Sequence, residues 1–325
     1  MIVSLRDDAD AQAVKRELTA LGLWIAATER SIGDSGVQFV VAAHSTNVNP
    51  ESVAQIVGVR SVSVPVPEHP RIDRQGPVVS VAGHDIGGLR PTLMCGPCSV
   101  ESPEQIDAIA ARIAPLGVTF LRGGAFKPRS SPYNFQGHGD PALSWMRSAA
   151  DKYGLRVVTE VLSEHDVGGV AELADLVQIG SRNMQNYALL KRVGHSKKPV
   201  LLKRAMSATV EEWLLAAEYL LHHGSSGVVL CERGIRGFDP STRNLVDLTS
   251  VALLANVHRL PVIVDPSHGT GRRDLILLLA KAAMAAGAAG VMIETHDDPG
   301  KALSDGPQAL RGDELQQVLA QLVSR

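Results

Sequence analysis

Met94-Cys95-Gly96-Pro97-Cys98-Ser99-Val100-Glu101-Ser102 reads as the end of an apolar strand, Pro91 to Met94, that stops in a Gly-Pro turn and delivers Cys98 to an open site. Three other segments carry a polar cluster in the same manner: Val262-Ile263-Val264-Asp265-Pro266-Ser267-His268, Val291-Met292-Ile293-Glu294-Thr295-His296 and the Leu303-Ser304-Asp305-Gly306 loop. Cys98, His268, Glu294 and Asp305 together offer one thiolate, one imidazole and two carboxylates, a mixed donor set for a divalent metal. Outward from this stretch, strand-like runs end at Cys98, Ala125, Val161, Ser181, Arg204, Arg233, His268 and Glu294, and amphipathic stretches such as Pro103 to Leu116, Asp140 to Tyr153, Thr209 to His222 and Arg273 to Ala286 alternate with them. Eight such units predict a (β/α)8 TIM barrel over residues 91–325, with a doubly wound open sheet as the alternative. Polar clusters at the C-terminal ends of the strands favour the barrel, because that fold builds its sites there.

Residues 1–66 follow another pattern. Met1 to Leu5, Leu23 to Thr28, Gly36 to Ala43 and Val59 to Val66 read as strands, with a turn at Gly33-Asp34-Ser35-Gly36. Helices are expected over Asp10 to Leu21 and after Asn49-Pro50, with Asn49 as cap and Pro50 in the first turn. The βαββαβ order predicts a small ferredoxin-like domain, for which a regulatory role and a dimerising role are equally open. Pro65, Pro67, His69 and Pro70 mark a linker, and residues 67–90 are expected to hold that linker and a hairpin, Val78 to Gly88, closing the bottom of the barrel.

The chain of 325 residues, with a net charge of -2 and 45% hydrophobic content, is long enough for one large domain and one small one. Near-neutral charge gives no reason to expect nucleic acid or an anionic membrane as partner. Early Arg6, Asp7 and Asp8 argue against a secretory peptide, and three cysteines suit a reducing cytoplasm. Leu275 to Ile293 approaches membrane length, but Lys281, Gly287 and Gly290 break it into a helix, a turn and a strand start.

Cations cluster after the strands. Arg122, Lys127 and Arg129 share one segment with Ser130 and Ser131, and Arg182, Lys203, Arg204, Arg233 and Arg236 follow other strands. Like cations gathered at one barrel face repel unless an anion sits between them, so a ligand carrying several negative charges, such as two phosphate groups, is expected.

The runs Gly96-Pro97-Cys98-Ser99-Val100-Glu101, Gly123-Gly124-Ala125-Phe126-Lys127-Pro128-Arg129-Ser130-Ser131-Pro132, Gly180-Ser181-Arg182-Asn183, Cys231-Glu232-Arg233-Gly234 and Asp265-Pro266-Ser267-His268 closely resemble 3-deoxy-D-arabino-heptulosonate 7-phosphate (DAHP) synthases of the type I beta branch. The resemblance runs from about residue 70 to the C-terminus, and residues 1–66 are similar to the ACT-like regulatory extension of some members. It implies condensation of phosphoenolpyruvate with erythrose 4-phosphate, the first step of the shikimate pathway. It further implies that Cys98, His268, Glu294 and Asp305 ligate one divalent metal (Mn, Fe, Co or Zn), that Arg122, Lys127, Arg182, Lys203 and Arg233 hold phosphoenolpyruvate, and that Arg129 and Ser130 hold the aldose phosphate. Lys127, between the two ligands, is the expected proton donor to the nascent alkoxide, with Glu160 or Asp305 taking the proton of the attacking water. A homo-oligomer, tetramer or dimer, is implied, as is a tyrosine or phenylalanine effector. Departures are mild: Ala205 where glycine is common, Ser130 where threonine is common, and Gly269-Thr270-Gly271 after His268.

Other readings stand beside this one. A 3-deoxy-octulosonate 8-phosphate synthase usually has Lys-Ala-Asn-Arg-Ser-Ser where this chain has Lys127-Pro128-Arg129-Ser130-Ser131, and a non-catalytic amino-acid sensor would not require the metal and cation positions intact. Cys95-Gly96-Pro97-Cys98 matches a redox motif, but the following residues do not continue as the helix that motif opens. Cys95 and Cys231 read as core, His296 and Asp297 as surface loop, and His195, His222 and His223 as solvated helix ends.

Overall fold

The computed structural model describes residues 1–30, 36–128 and 131–323, which divide into two compact units, Met1–Glu68 and His69–Arg325. In the first, β1 (Ile2–Leu5), α1 (Ala11–Ala20), β2 (Ile25–Arg30), β3 (Val37–Val41), α2 (Pro50–Ala54) and β4 (Val59–Ser63) follow in order. The antiparallel sheet has the order β2-β3-β1-β4, the ferredoxin-like arrangement. Asp10 caps α1 through Gln12 and Ala13 N–H, and Asn49 caps α2 through Glu51 N–H with Pro50 in the first turn. Val14 and Leu18 of α1 and Val53 of α2 pack on Val3, Leu5 and Phe39. Gly33, Asp34 and Ser35 of the expected turn lie outside the described residues.

The second unit starts with a helix where a linker was expected. In α3 (Pro70–Gln75), Pro70 occupies the first turn and Ile72 is fully buried, while Glu218 accepts from the N–H groups of Arg71 and Ile72. The chain then forms the hairpin β5 (Val79–Val81) and β6 (His84–Ile86). Eight parallel strands follow: β7 (Thr92–Gly96), β8 (Phe120–Arg122), β9 (Arg156–Val161), β10 (Leu176–Ile179), β11 (Val200–Lys203), β12 (Val228–Glu232), β13 (Val262–Val264) and β14 (Gly290–Glu294). They close in sequence order, with β14 pairing with β7, so the architecture is a (β/α)8 barrel. Around it lie α4 (Pro103–Ile113), α5 (Asp140–Tyr153), α6 (Val167–Leu173), α7 (Tyr187–His195), α8 (Val210–His222), α9 (Leu248–Ala252), α10 (Pro266–Thr270), α11 (Ile276–Ala285) and α12 (Gly312–Val323). Ser102 caps α4, and Thr209 with Glu212 forms a reciprocal capping box on α8.

Strand side chains alternate between two cores. Met94, Phe120, Val158, Leu176, Leu201, Val229, Ile263 and Met292 fill the barrel interior, joined by Val79, Val81 and Ile86 of the hairpin, which thereby closes the floor. Their neighbours, such as Leu93, Leu121, Val157 and Leu202, pack against the helices. Gly96 ends β7 at φ +153°, where a Cβ would lie 1.9 Å from the Arg122 carbonyl oxygen, so only glycine permits this approach of β7 to β8. Residues 275–293 comprise all of α11, a turn at Gly287 and most of β14; among the described residues no helix is long and apolar enough to cross a membrane.

Candidate metal and anion site

The period of two in the strands also builds the site. Two residues beyond interior Phe120, Val158, Leu201, Cys231, Ile263 and Met292 stand Arg122, Glu160, Lys203, Arg233, Asp265 and Glu294. A polar layer thus sits on an apolar plug at the C-terminal mouth of the barrel. The Cys98 segment follows the same wall, its backbone exchanging hydrogen bonds with Gly124 (Val100 N–H to Gly124 O and Gly124 N–H to Cys98 O, both 3.0 Å).

Cys98, His268, Glu294 and Asp305 converge, with one donor atom from each lying within 4.8 Å of every other. His268 does not end a strand, as the sequence suggested. It sits on α10, a single turn capped by Asp265, whose Oδ1 accepts from His268 N–H at 2.9 Å. Asp265 Oδ2 accepts from Nδ1 of the same ring at 2.7 Å and from Lys203 Nζ at 2.5 Å. Burial alone would raise the Asp265 carboxyl, but His268 and Lys203 hold it well below the ordinary carboxylate range. Burial pushes His268 below the usual imidazole value, so the ring is neutral at pH 7 with its proton on Nδ1. Its Nε2 lone pair then faces Glu294 Oε1 at 3.2 Å and Asp305 Oδ2 at 3.9 Å. Acceptors turned toward acceptors in a buried place are what a cation between them resolves, so the donor set fits a divalent metal. Burial, and next the Glu294 charge, pushes the Cys98 thiol up to about 11; metal binding would deprotonate it. Asp305 supplies its carboxylate from the left-handed backbone region, at φ +49°.

Beside this cluster lies a pocket lined by Lys127, Arg182, Lys203, Arg233 and Arg243, with Glu160, His268 and Asp305 also on its wall. Lys127 Nζ donates to Cys98 Sγ and Cys98 O, each at 3.0 Å. Arg233 is 6% exposed and its Nη1 has no hydrogen-bond partner, a buried donor that an anion in the pocket would satisfy. Arg122 lies deeper. It donates to Glu294 Oε1 at 2.9 Å and Pro97 O at 2.7 Å, and its Nε is without a partner. Arg129 and Ser130 lie outside the described residues.

Three expectations are corrected. Arg204 does not join the pocket: as the neighbour of inward Lys203 it points to the helix layer, over the Trp213 ring and onto Asp247 at 2.8 Å and Glu232 at 3.3 Å. Arg236 is exposed and does not line the pocket. His296 is buried rather than on a surface loop, its Nε2 meeting Gln105 at 3.1 Å and Glu101 at 3.4 Å, while Asp297 pairs with Arg112. Cys95 and Cys231 are fully buried and free, and His195, His222 and His223 cluster at the ends of α7 and α8. Asp265 was missed as a positioning residue although an Asp before Pro-Ser-His signals a capped turn. Arg243 and Gln308 were missed because they lie in long loops with no periodic pattern.

A model of the DAHP synthetase I family matches residues 77–324. The chain belongs to the DAHP synthetase I family. Among its relatives, a phospho-2-dehydro-3-deoxyheptonate aldolase of Thermotoga maritima is 51% identical over 233 residues, 72% of this chain and 69% of that protein. A 2-dehydro-3-deoxyphosphooctonate aldolase of Acidithiobacillus ferrooxidans is 32% identical over 253 residues, 70% of this chain and 87% of that one. A crystal structure of the Thermotoga maritima DAHP synthase covers 99% of this chain and 95% of its own, with a TM-score of 0.77 at 39% identity. A truncated form of 3-deoxy-D-arabino-heptulosonate 7-phosphate synthase from Thermotoga maritima covers 76% of this chain and 91% of its own, with a TM-score of 0.71 at 45% identity.

Proposed function

We propose that this member of the family is a DAHP synthase, joining phosphoenolpyruvate to erythrose 4-phosphate and releasing inorganic phosphate. The observation that carries the reading is the pocket itself: five cationic side chains, one with an orphaned buried N–H, beside a group of four metal donors. Two phosphorylated substrates supply the anions that so many cations require. Membership of the family, with a 51% identical relative, supports the same reaction.

In this reading Arg122, Lys127, Arg182, Lys203 and Arg233 hold phosphoenolpyruvate. Arg122 anchors Glu294 from below. Arg129 and Ser130 take the phosphate of the aldose. Cys98, His268, Glu294 and Asp305 would hold a divalent metal, which would supply Lewis acidity toward the aldehyde oxygen. The C3 carbon of phosphoenolpyruvate forms a bond to C1 of the aldose, and Lys127 gives its proton to the oxygen that becomes a hydroxyl. Water adds at C2, one of the pocket carboxylates, Glu160 or Asp305, takes its proton, and phosphate leaves with cleavage of the C–O bond. Asp265 keeps the His268 proton on Nδ1 and Nε2 free for the metal.

Residues 1–68 form the proposed regulatory unit. A groove there, lined by Arg6, Asp8, Asp10 and Glu17 beside Ser52 and Gln55, presents both signs of charge, as a zwitterionic amino acid such as tyrosine or phenylalanine demands. The test is phosphate release with phosphoenolpyruvate and either erythrose 4-phosphate or arabinose 5-phosphate. Turnover with the four-carbon sugar, abolished by a chelator and restored by Mn(II), is expected. Turnover with only the five-carbon sugar would move the chain to the octulosonate reading, and full activity in chelator would remove the metal from it.

A further inference from the structure

Glu294 is fully buried, and both of its carboxylate oxygens are committed. Oε1 accepts from Arg122 Nη1 at 2.9 Å and faces His268, whereas Oε2 accepts from Gln308 Nε2 at 2.5 Å. Gln308, itself 4% exposed, follows Asp305 by three residues, and its Oε1 accepts from Arg243 Nη1 at 3.1 Å. The orientation of the amide follows from chemistry. A guanidinium only donates and an ionised carboxylate only accepts, so Arg243 requires the amide oxygen and Glu294 then receives the NH2. Arg243 reaches in from the segment between β12 and α9, its side chain partly exposed at the pocket wall, 3.8 Å from Asp305 Oδ1.

We propose that Gln308 is a positioning residue for the metal donors, locking the Glu294 carboxylate so that Oε1 faces Cys98, His268 and Asp305, and that Arg243 sets the direction of the Gln308 amide. The inference rests on the metal reading above and assigns the chain Arg243–Gln308–Glu294 a role in how tightly the metal is held. A donor acting on a metal-binding carboxylate is worth 10- to 100-fold in metal affinity. Arg243 provides a test of sign. As a positive charge near Asp305 it repels a cation, so a purely electrostatic role makes its removal tighten metal binding. As the group that orients Gln308, its removal loosens binding.

The experiment is Mn(II) titration of the metal-free full-length protein without substrates, followed by electron paramagnetic resonance of free Mn(II). Wild type is compared with Gln308→Met, Arg243→Met and the double variant; Gln308→Met keeps length and shape without the hydrogen bonds. Expected are a 10- to 100-fold weaker Kd for Gln308→Met, a smaller loss for Arg243→Met, and no further loss on adding Arg243→Met to Gln308→Met. Should Gln308→Met fail to fold, the sign of the change in Arg243→Met decides. Wild-type Kd in Gln308→Met, or tighter binding in Arg243→Met alone, overturns the inference while leaving the metal site standing. Wild-type protein that takes up no Mn(II) overturns the metal reading and this inference with it.

Discussion

Replacing Asp265 by Asn should unbalance the most tightly held charge in the barrel. Asp265 is fully buried, and Lys203, whose side chain is 5% exposed, lies 2.5 Å from it. At an effective dielectric of about 20, unit charges at that separation attract by roughly 7 kcal/mol. Removing each ion from water costs several kcal/mol, so the intact pair contributes little net stability. Asn leaves Lys203 charged, buried and without its counterion, which costs about 3–5 kcal/mol. In a unit of this size, at about 2–3 °C per kcal/mol, Tm should fall by about 6–15 °C. The assay is thermal unfolding followed by circular dichroism at pH 7. The double variant Asp265→Asn/Lys203→Met, which removes both charges, should recover part of the loss. A Tm within 1–2 °C of wild type for Asp265→Asn, or a double variant as unstable as the sum of the singles, would refute the pairing argument.

Glu232→Gln should be far milder, because Arg204 keeps Asp247 at 2.8 Å and the glutamate itself is raised in pKa by burial. We expect a stability change of at most about 1–2 kcal/mol at pH 7 in urea denaturation. A raised folded-state pKa means that the folded wild type takes up its proton before the unfolded chain does. Wild type should therefore gain on the Gln variant as pH falls from 7 toward the ordinary glutamate range, and a gap moving the other way contradicts the assignment. Trp213, fully buried with its indole N–H on Leu202 O at 3.1 Å, should cost about 3–5 kcal/mol on truncation to Ala and less on replacement by Phe, read by the same denaturation curves. Residues 69–325 alone should fold, release phosphate at the full-length rate and ignore tyrosine and phenylalanine; inhibition that survives the deletion would place the effector site elsewhere.

The barrel could be read from the sequence because its eight parallel strands appear as mostly apolar runs, with single polar residues such as Glu160 and Gln178 set within them. Caps such as Asn49-Pro50 were equally visible, since they depend on neighbouring residues alone. The helix Pro70–Gln75 was hidden by the prolines around it, its burial of Ile72 being decided by residues far along the chain. For the site, Cys98, His268 and Glu294 of the converging group stand out in the sequence after apolar runs, and Asp305 in the Leu303-Ser304-Asp305-Gly306 loop. The direction of Arg204 could have been read too: in a strand where Leu201 and Lys203 face inward, its parity turns it outward. Gln308 could not, because its partners Glu294 and Arg243 meet it only through the closed barrel and its loops.

Asp305 brings its carboxylate to the candidate metal cluster from a backbone conformation that non-glycine residues adopt at a cost of about 1 kcal/mol or more. Glycine there would relax the peptide and remove the carboxylate in the same step. A library of this chain screened for heat resistance alone should accept that exchange early and yield robust, inert proteins. If Asp305 serves the proposed metal, heat tolerance and turnover pull in opposite directions at a single residue.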